Sequence, residues 1–368
     1  MADATSAPFR VIDTGLRGGR ANIAFDQALM EARKDGKIPN TIRFLHFRPS
    51  ALIGIHQILS HEVKVDYCRS HGIEIVRRIT GGGGLYFDEG QIGWEFVFDR
   101  TALGTTELPE VTRRICEAAA LGLNKLGVRA RYRPRSDIEV DGRKISGSGG
   151  FFDGSLIFYQ GTLLIDFDPA KMAACLKLPA EKGTKRDLDS PAQRVITMRE
   201  VMGDKLPDLE TVQGGLLEGF AEGLCITPKW GAVTAYEEEL ADRYFREEIG
   251  TDAYVEMLDT PEPDDTLVSA SFIARGGTVR ADIRLEGPRR ELVREVLITG
   301  DFFVTPPRFV FDLEASLRGL NIADVGRAID SFFARTPADV LSVGPGDIRQ
   351  VIDLALGQRG VGAAASQV

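Results

Sequence analysis

The chain has 368 residues, 43% of them hydrophobic and 27% charged, with a formal net charge of −9. That length is more than one core usually organises, so two domains are expected, and no run approaches the roughly 18 consecutive apolar residues of a membrane span. The acidic balance argues against non-specific nucleic-acid binding, and Met1 to Ser6 lack the basic patch and apolar stretch of a secretory signal, so a soluble cytoplasmic protein is expected.

Within Ala21 to Lys34, the residues Ala24, Ala28, Leu29 and Ala32 recur at helical spacing, and Gly36 and Pro39 stop the helix. Strand-like runs follow at Thr41 to Phe47, Ala51 to Ile55 and Ile73 to Arg77, with a helical segment at Val65 to Ser70. All four histidines, His46, His56, His61 and His71, fall in this region. His61-Glu62 begins like a zinc-binding HExxH helix, but Val65 stands where the second histidine is needed. The cysteines Cys68, Cys116, Cys175 and Cys225 are too widely spaced for a CxxC site and are expected as reduced thiols.

Next comes Arg77-Arg78-Ile79-Thr80-Gly81-Gly82-Gly83-Gly84-Leu85-Tyr86-Phe87-Asp88. Four consecutive glycines are costly to order, which points to a backbone that approaches something closely. The run opens no helix and lacks GKS or GKT, so it fits neither a dinucleotide-binding turn nor a P-loop. Two readings stay open: a turn with a β-bulge, or a loop whose amides, with Arg78 and Thr80, meet the oxygens of an anionic ligand.

Ile92 to Phe98 reads as a strand, and Val111, Ile115, Ala118, Ala119, Gly122 and Leu126 mark one face of a helix that stops near Gly127. Asp141-Gly142 between two alternating runs predicts a type I′ hairpin with Lys144 just past its tip, followed by the glycine-rich Ser146-Gly147-Ser148-Gly149-Gly150. Lys144 is either a solvated lysine or the charge that neutralises phosphate and carbonyl oxygens, with Asp137 holding Mg²⁺ or a polar edge of a nucleotide. A strand pair at Leu156 to Tyr159 and Gly161 to Ile165 and helices at Pro169 to Leu176 and Leu209 to Leu224 complete a mixed first domain.

Asp259-Thr260-Pro261-Glu262-Pro263-Asp264-Asp265 reads as an acidic, exposed linker. The expected domains are therefore 1–258 and 267–356, joined by 259–266 and followed by a disordered tail, 357–368. Leu267 to Ile273, a turn at Gly276-Gly277, the alternating Val279 to Leu285 and Val293 to Thr299 predict a half-buried antiparallel sheet. Helices at Asp312 to Leu320, Ala323 to Phe333 and Pro345 to Leu356 would make the second domain a small α+β unit.

Four stretches together resemble the lipoate-protein ligases, relatives of biotin-protein ligases and octanoyltransferases: Leu52-Ile53-Gly54-Ile55-His56-Gln57, the arginine-glycine run with Tyr86 and Asp88, Ser136-Asp137-Ile138 through Lys144-Ile145-Ser146-Gly147-Ser148, and Gly161-Thr162-Leu163-Leu164. The likeness covers most of residues 9 to 250, and the stretch around Gly300-Asp301-Phe302-Phe303 resembles the family's accessory domain. It implies an α+β fold with a mixed, largely antiparallel sheet. The reaction it implies uses ATP and Mg²⁺ to turn lipoate into lipoyl-adenylate, then passes the acyl group to a lysine of an apo carrier, whether a lipoyl domain, an H protein or an H-like protein. Lys144 matches the essential lysine. Arg78, Thr80, Gly81, Gly82, Gly83, Gly84 and Tyr86 match the loop over the adenylate, and Asp137, Ser146, Gly147, Gly161 and Thr162 the remaining substrate contacts, with Asp137 as the metal ligand.

The chain departs from the family pattern at Ser136, where asparagine is usual, and at Gly84, Phe87, Gly149, Gly150 and Gln160. The related octanoyltransferases use a cysteine preceding the hairpin near Arg133 to Ser136, and no cysteine lies between Cys116 and Cys175, which argues against a thioester route without ATP. A non-catalytic module that binds lipoyl groups or nucleotides would need the glycine loops but not Lys144. No lysine occurs from Gly231 to Val368, so the second domain cannot be the carrier itself.

Overall fold

The computed structural model describes residues 7–134, 136–177, 191–274, 277–336, 339–340 and 343–358. Met1 to Ser6, Gly276 of the expected turn and residues 359–368 of the expected tail lie outside them. Two compact units are present: Met1–Ile53 with Glu62–Ile79 and Gly84–Val255, and Gly54–His61 with Thr80–Gly83 and Glu256–Val368. Two short pieces of the expected first domain thus belong with the C-terminal residues.

The first unit is built on strands β1 (Ala7–Arg17), β2 (Thr41–Phe47), β3 (Ser50–Ile53), β4 (Glu74–Arg77), β5 (Leu85–Phe87), β6 (Gln91–Asp99), β7 (Arg131–Arg133), β8 (Asp137–Val140), β9 (Arg143–Asp153), β10 (Leu156–Leu164) and β11 (Ile226–Trp230). Eight of them form one sheet in the order β11-β1-β2-β6-β10-β9-β8-β7. The β11–β1–β2 end is parallel and the remainder antiparallel, so the sheet is mixed, as expected. β4, β3 and β5 form a small second sheet.

Strand alternation sorts the core. On β6, Val97 joins the helix Gly19–Lys34 through Phe25, Ala28 and Leu29, along with Leu240 and Ala241 of the helix Ala235–Glu247. Trp94 and Phe96 point the other way and pack on Phe220 of the helix Leu209–Leu224, with ring centroids 5.5 and 4.9 Å apart. That helix meets the helix Leu108–Lys125 so closely that a β-carbon on Gly219 would stand 2.4 Å from the Ala118 carbonyl oxygen.

One charged group crosses this core. Arg43 of β2 is fully buried and donates to Asp26 Oδ1 at 2.7 Å and Glu95 Oε1 at 2.8 Å, while Asn22 and Thr14 take its remaining donors. Burial, then the neighbouring Glu95, pushes the Asp26 carboxyl well above the ordinary range, and burial raises Glu95 as well.

In the second unit, β12 (Leu267–Ala274), β13 (Gly277–Glu286) and β14 (Leu292–Gly300) form the expected antiparallel sheet, and β15 (Val304–Thr305) pairs with β16 (Asp339–Val340). The inward face of β13, with Val279, Ala281, Ile283 and Leu285, shares a core with the helices Phe309–Leu317, Ile322–Arg335 and Pro345–Gly357.

Several elements differ from the sequence reading. The expected break at Gln160 is absent, because Leu156–Leu164 is one strand paired on both sides. The strand expected at Ala51 to Ile55 ends at Ile53, and the Ile55 amide instead donates to the Thr80 carbonyl. β1, β7, β11 and the helix Ala235–Glu247 were not expected. Pro228 disguises β11, which tolerates it as a sheet edge. The helix Ala235–Glu247 carries a signal in plain view, the Thr234/Glu237 capping box. Among the described residues, no helix is long and apolar enough to cross a membrane.

Candidate functional site

The hairpin turn is where the sequence puts it, with Asp141 at φ 50° and Gly142 at φ 80°. A register shift between Ile138 and Glu139 sets Asp137 opposite Gly147 and Lys144 opposite Glu139. Lys144 therefore reaches back along the ladder, and its Nζ lies 2.8 Å from Asp137 Oδ1. Gly147 makes this possible: a β-carbon there would stand 2.2 Å from the lysine Nζ and 2.4 Å from its Cε. Thr162 of β10 holds the same spot, its hydroxyl accepting from the Gly147 amide at 3.2 Å. Next to it, the Ser146 hydroxyl is buried with no hydrogen-bond partner among the described residues. Lys144, Asp137, Ser146, Gly147 and Thr162 are thus brought together on three adjacent strands.

Arg133 is the member of this cluster that sequence reasoning missed. It sits on β7 directly across from Asp137, and its guanidinium donates to Asp137 Oδ2 at 2.7 Å. Burial pushes the Asp137 carboxyl up, but Lys144 and then Arg133 outweigh it and hold the group below its ordinary value. Both Asp137 carboxylate oxygens are engaged by cations, Oδ1 by Lys144 and Oδ2 by Arg133. No group of three or more His, Cys, Asp or Glu side chains among the described residues could hold a metal.

The other expected residues fall in two places. In the first unit, Arg78 is buried, with Nη1 3.4 Å from the Leu52 carbonyl oxygen; desolvation pulls its guanidinium down to about 10. Tyr86 is buried beside Phe167, and burial, then Asp88, raises its phenol. Gly161 lies under the Trp94 indole, where a β-carbon would be 2.0 Å from the ring.

In the second unit, Gly81, Gly82 and Gly83 lie against Asp301, Phe302 and Phe303, and the Thr80 carbonyl before them accepts from the Ile55 amide. The Gly82 amide donates to the Phe302 carbonyl at 2.9 Å, and Gly82 adopts φ 90°. A β-carbon on Gly81 would stand 2.3 Å from that same carbonyl oxygen, and one on Gly82 would stand 2.5 Å from the Phe303 ring. What these glycines approach is another part of their own chain. His56 stacks on Phe302 with centroids 5.2 Å apart.

Two glycine substitutions should separate the positions cleanly. Gly84→Ala restores the residue usual in the resembling family, and its β-carbon would meet Leu176 at an ordinary 3.5 Å, so activity and melting temperature should stay at wild-type values. Gly147→Ala drives its β-carbon into the flexible end of Lys144. The fold should survive within about 1 kcal/mol while turnover drops roughly tenfold or more, a split that urea unfolding and steady-state kinetics would read.

The lipoyl protein ligase A/B catalytic domain model matches residues 19–221 of this chain. The chain is 28% identical over 245 residues to lipoate-protein ligase A subunit 1 of Thermoplasma acidophilum, covering 64% of this chain and 91% of that protein. It is 29% identical over 259 residues to the octanoyltransferase LipM of Kyrpidia tusciae, covering 64% of this chain and 94% of that protein. Among solved structures, a bi-partite lipoate protein ligase studied with its E2 lipoyl domain, from Thermoplasma acidophilum, superposes with a TM-score of 0.61 at 25% identity. It covers 70% of this chain and all of that one.

Proposed function

Because the chain belongs to the lipoyl protein ligase A/B catalytic domain family, we propose that it is an ATP-dependent lipoate-protein ligase acting in the cytoplasm on an apo lipoyl carrier. It is in any case an enzyme of lipoate and octanoate handling. In the proposed reaction a lipoate carboxylate oxygen attacks the α-phosphorus of ATP, the bond to the bridging oxygen breaks and pyrophosphate leaves. A carrier lysine amine then attacks the acyl carbon, AMP departs with the bond electrons, and the amine proton passes to water.

The observation that carries this reading is the Lys144 ammonium seated over Gly147 and anchored by Asp137 at 2.8 Å. A fixed cation at the end of a hairpin suits the negative charge that builds on phosphate and carbonyl oxygens in both steps. Thr162 and Gly147 tie the lysine's strand to β10. The carrier is the partner that this chemistry requires, and the Thermoplasma relative was studied with such a domain.

The octanoyltransferase relative favours a second reading, acyl transfer without ATP. That chemistry needs a thiolate. The thiol nearest the hairpin is Cys116, 3.2 Å from the Ser148 hydroxyl, but it is fully buried and burial raises it. Cys68 and Cys175 are also buried, and Cys225 lies exposed at the end of the helix Leu209–Leu224.

Purified protein given lipoate, ATP and Mg²⁺ should release pyrophosphate and add a lipoyl mass to an apo carrier. Octanoyl transfer between carriers without ATP would establish the second reading instead. Lipoate binding with neither product would leave a binding module.

A further inference from the structure

Lys144 has two duties that conflict. In the ground state it is a counter-ion of Asp137, yet the proposed reaction needs its charge on the substrate. Asp137 is about one-quarter exposed, and a carboxylate in that setting left with no cation would resist the change. The geometry points to Arg133 as the residue that removes the conflict: we propose that it is a positioning residue that keeps Asp137 paired, so that Lys144 can turn to substrate. This inference rests on the reading of Lys144 given above.

The Arg133 guanidinium is well placed to do this. One nitrogen donates to Asp137 Oδ2 at 2.7 Å, while the other reaches Glu139 Oε2 at 3.1 Å and the Gly142 carbonyl at 3.3 Å. A planar fork can span two carboxylates and a turn in this way, whereas an ammonium makes a single point contact. Lys144 and Arg133 use different oxygens of Asp137, so one can leave without displacing the other. The neighbouring Arg131 supplies a natural control. It pairs with Glu139 Oε1 at 2.7 Å, its side chain is 74% exposed, and no contact to Asp137 is present among the described residues. If Arg133 were lost, Lys144 would be the nearest remaining counter-ion of Asp137 among the described residues and would be held there.

The test uses the full chain and four variants: Arg133→Met, Arg133→Gln, Arg133→Lys and Arg131→Met. Without any substrate, trace acetic anhydride at one fixed alkaline pH labels the Lys144 amine, which peptide mass spectrometry reads against Lys37 as reference. Arg133→Met and Arg133→Gln should slow labelling about threefold or more, because the amine is then tied to Asp137. Arg133→Lys should recover most of the rate, and Arg131→Met should match wild type. In the pyrophosphate assay, kcat should fall roughly tenfold in the first two variants, with a much smaller change in KM for ATP.

Labelling at the Arg131→Met rate in Arg133→Met or Arg133→Gln would overturn the inference, whatever the activity. Slowed labelling in a protein whose wild type releases no pyrophosphate would leave the shared Asp137 standing and remove the ligase reading. Should Arg133→Met melt near assay temperature, Arg133→Gln, which keeps a polar head without the charge, decides the matter.

Discussion

Lys144→Ala should abolish both pyrophosphate release and carrier modification, lowering kcat/KM by about 10³, the scale seen when a fixed electrostatic contact to a transition state is removed. The fold should not suffer. Lys144 is about one-third exposed, and its ion pair with Asp137 is backed by Arg133, so melting should shift little. Lys144→Arg should rescue poorly, since a planar guanidinium needs more room than the bare face of Gly147 offers the lysine stem. Pyrophosphate production and the carrier's mass shift measure the two half-reactions separately. Turnover within tenfold of wild type in Lys144→Ala would remove Lys144 from the chemistry.

The largest effect on stability should come from Arg43→Leu. Removing one partner from a buried, hydrogen-bonded ion cluster costs about 3–5 kcal/mol, because the groups left behind have neither water nor a counter-ion. Here two carboxylates, Asp26 and Glu95, face each other through that single guanidinium, and both are already raised in the folded protein. The direction with pH follows. An acid raised on folding contributes stability that is present below its unfolded value and lost as pH rises through the folded value. Without Arg43 both carboxyls rise further, so the penalty should be larger near pH 8 than near pH 5. Urea unfolding at the two pH values would show this, and a penalty that is flat or that grows toward acid would contradict it.

Much of this molecule was legible in its sequence where side-chain period and turn chemistry carry the signal. The Asp141-Gly142 hairpin, the alternating strand at Val279 to Leu285 and the helix Leu209–Leu224 are in place. Lys144 and Asp137 were singled out by residue type, but their direct contact depends on the register shift after Ile138, which no local pattern announces. Arg133 was invisible for a related reason. Its strand has three residues, and only pairing with β8 gives that strand meaning. Gly161 shows a different limit, since its packing under the Trp94 indole depends on the pairing of β10 with β6, which sequence alone does not give. The buried Arg43 cluster could not be read either, because its members lie on separate elements and any one of them alone passes for a surface charge.

Gly81 and Gly82 have no room for a β-carbon beside the Phe302 carbonyl and the Phe303 ring. These two stretches, distant in the chain, are therefore not free to drift independently over generations. A lineage acquiring a side chain at 82 must already have lost the ring at 303, or it passes through an intermediate with a steric clash. Aligned descendants of this protein should accordingly show glycine at 82 wherever an aromatic ring occupies 303, and, because Gly82 adopts φ 90°, should mostly keep it where the ring has been lost.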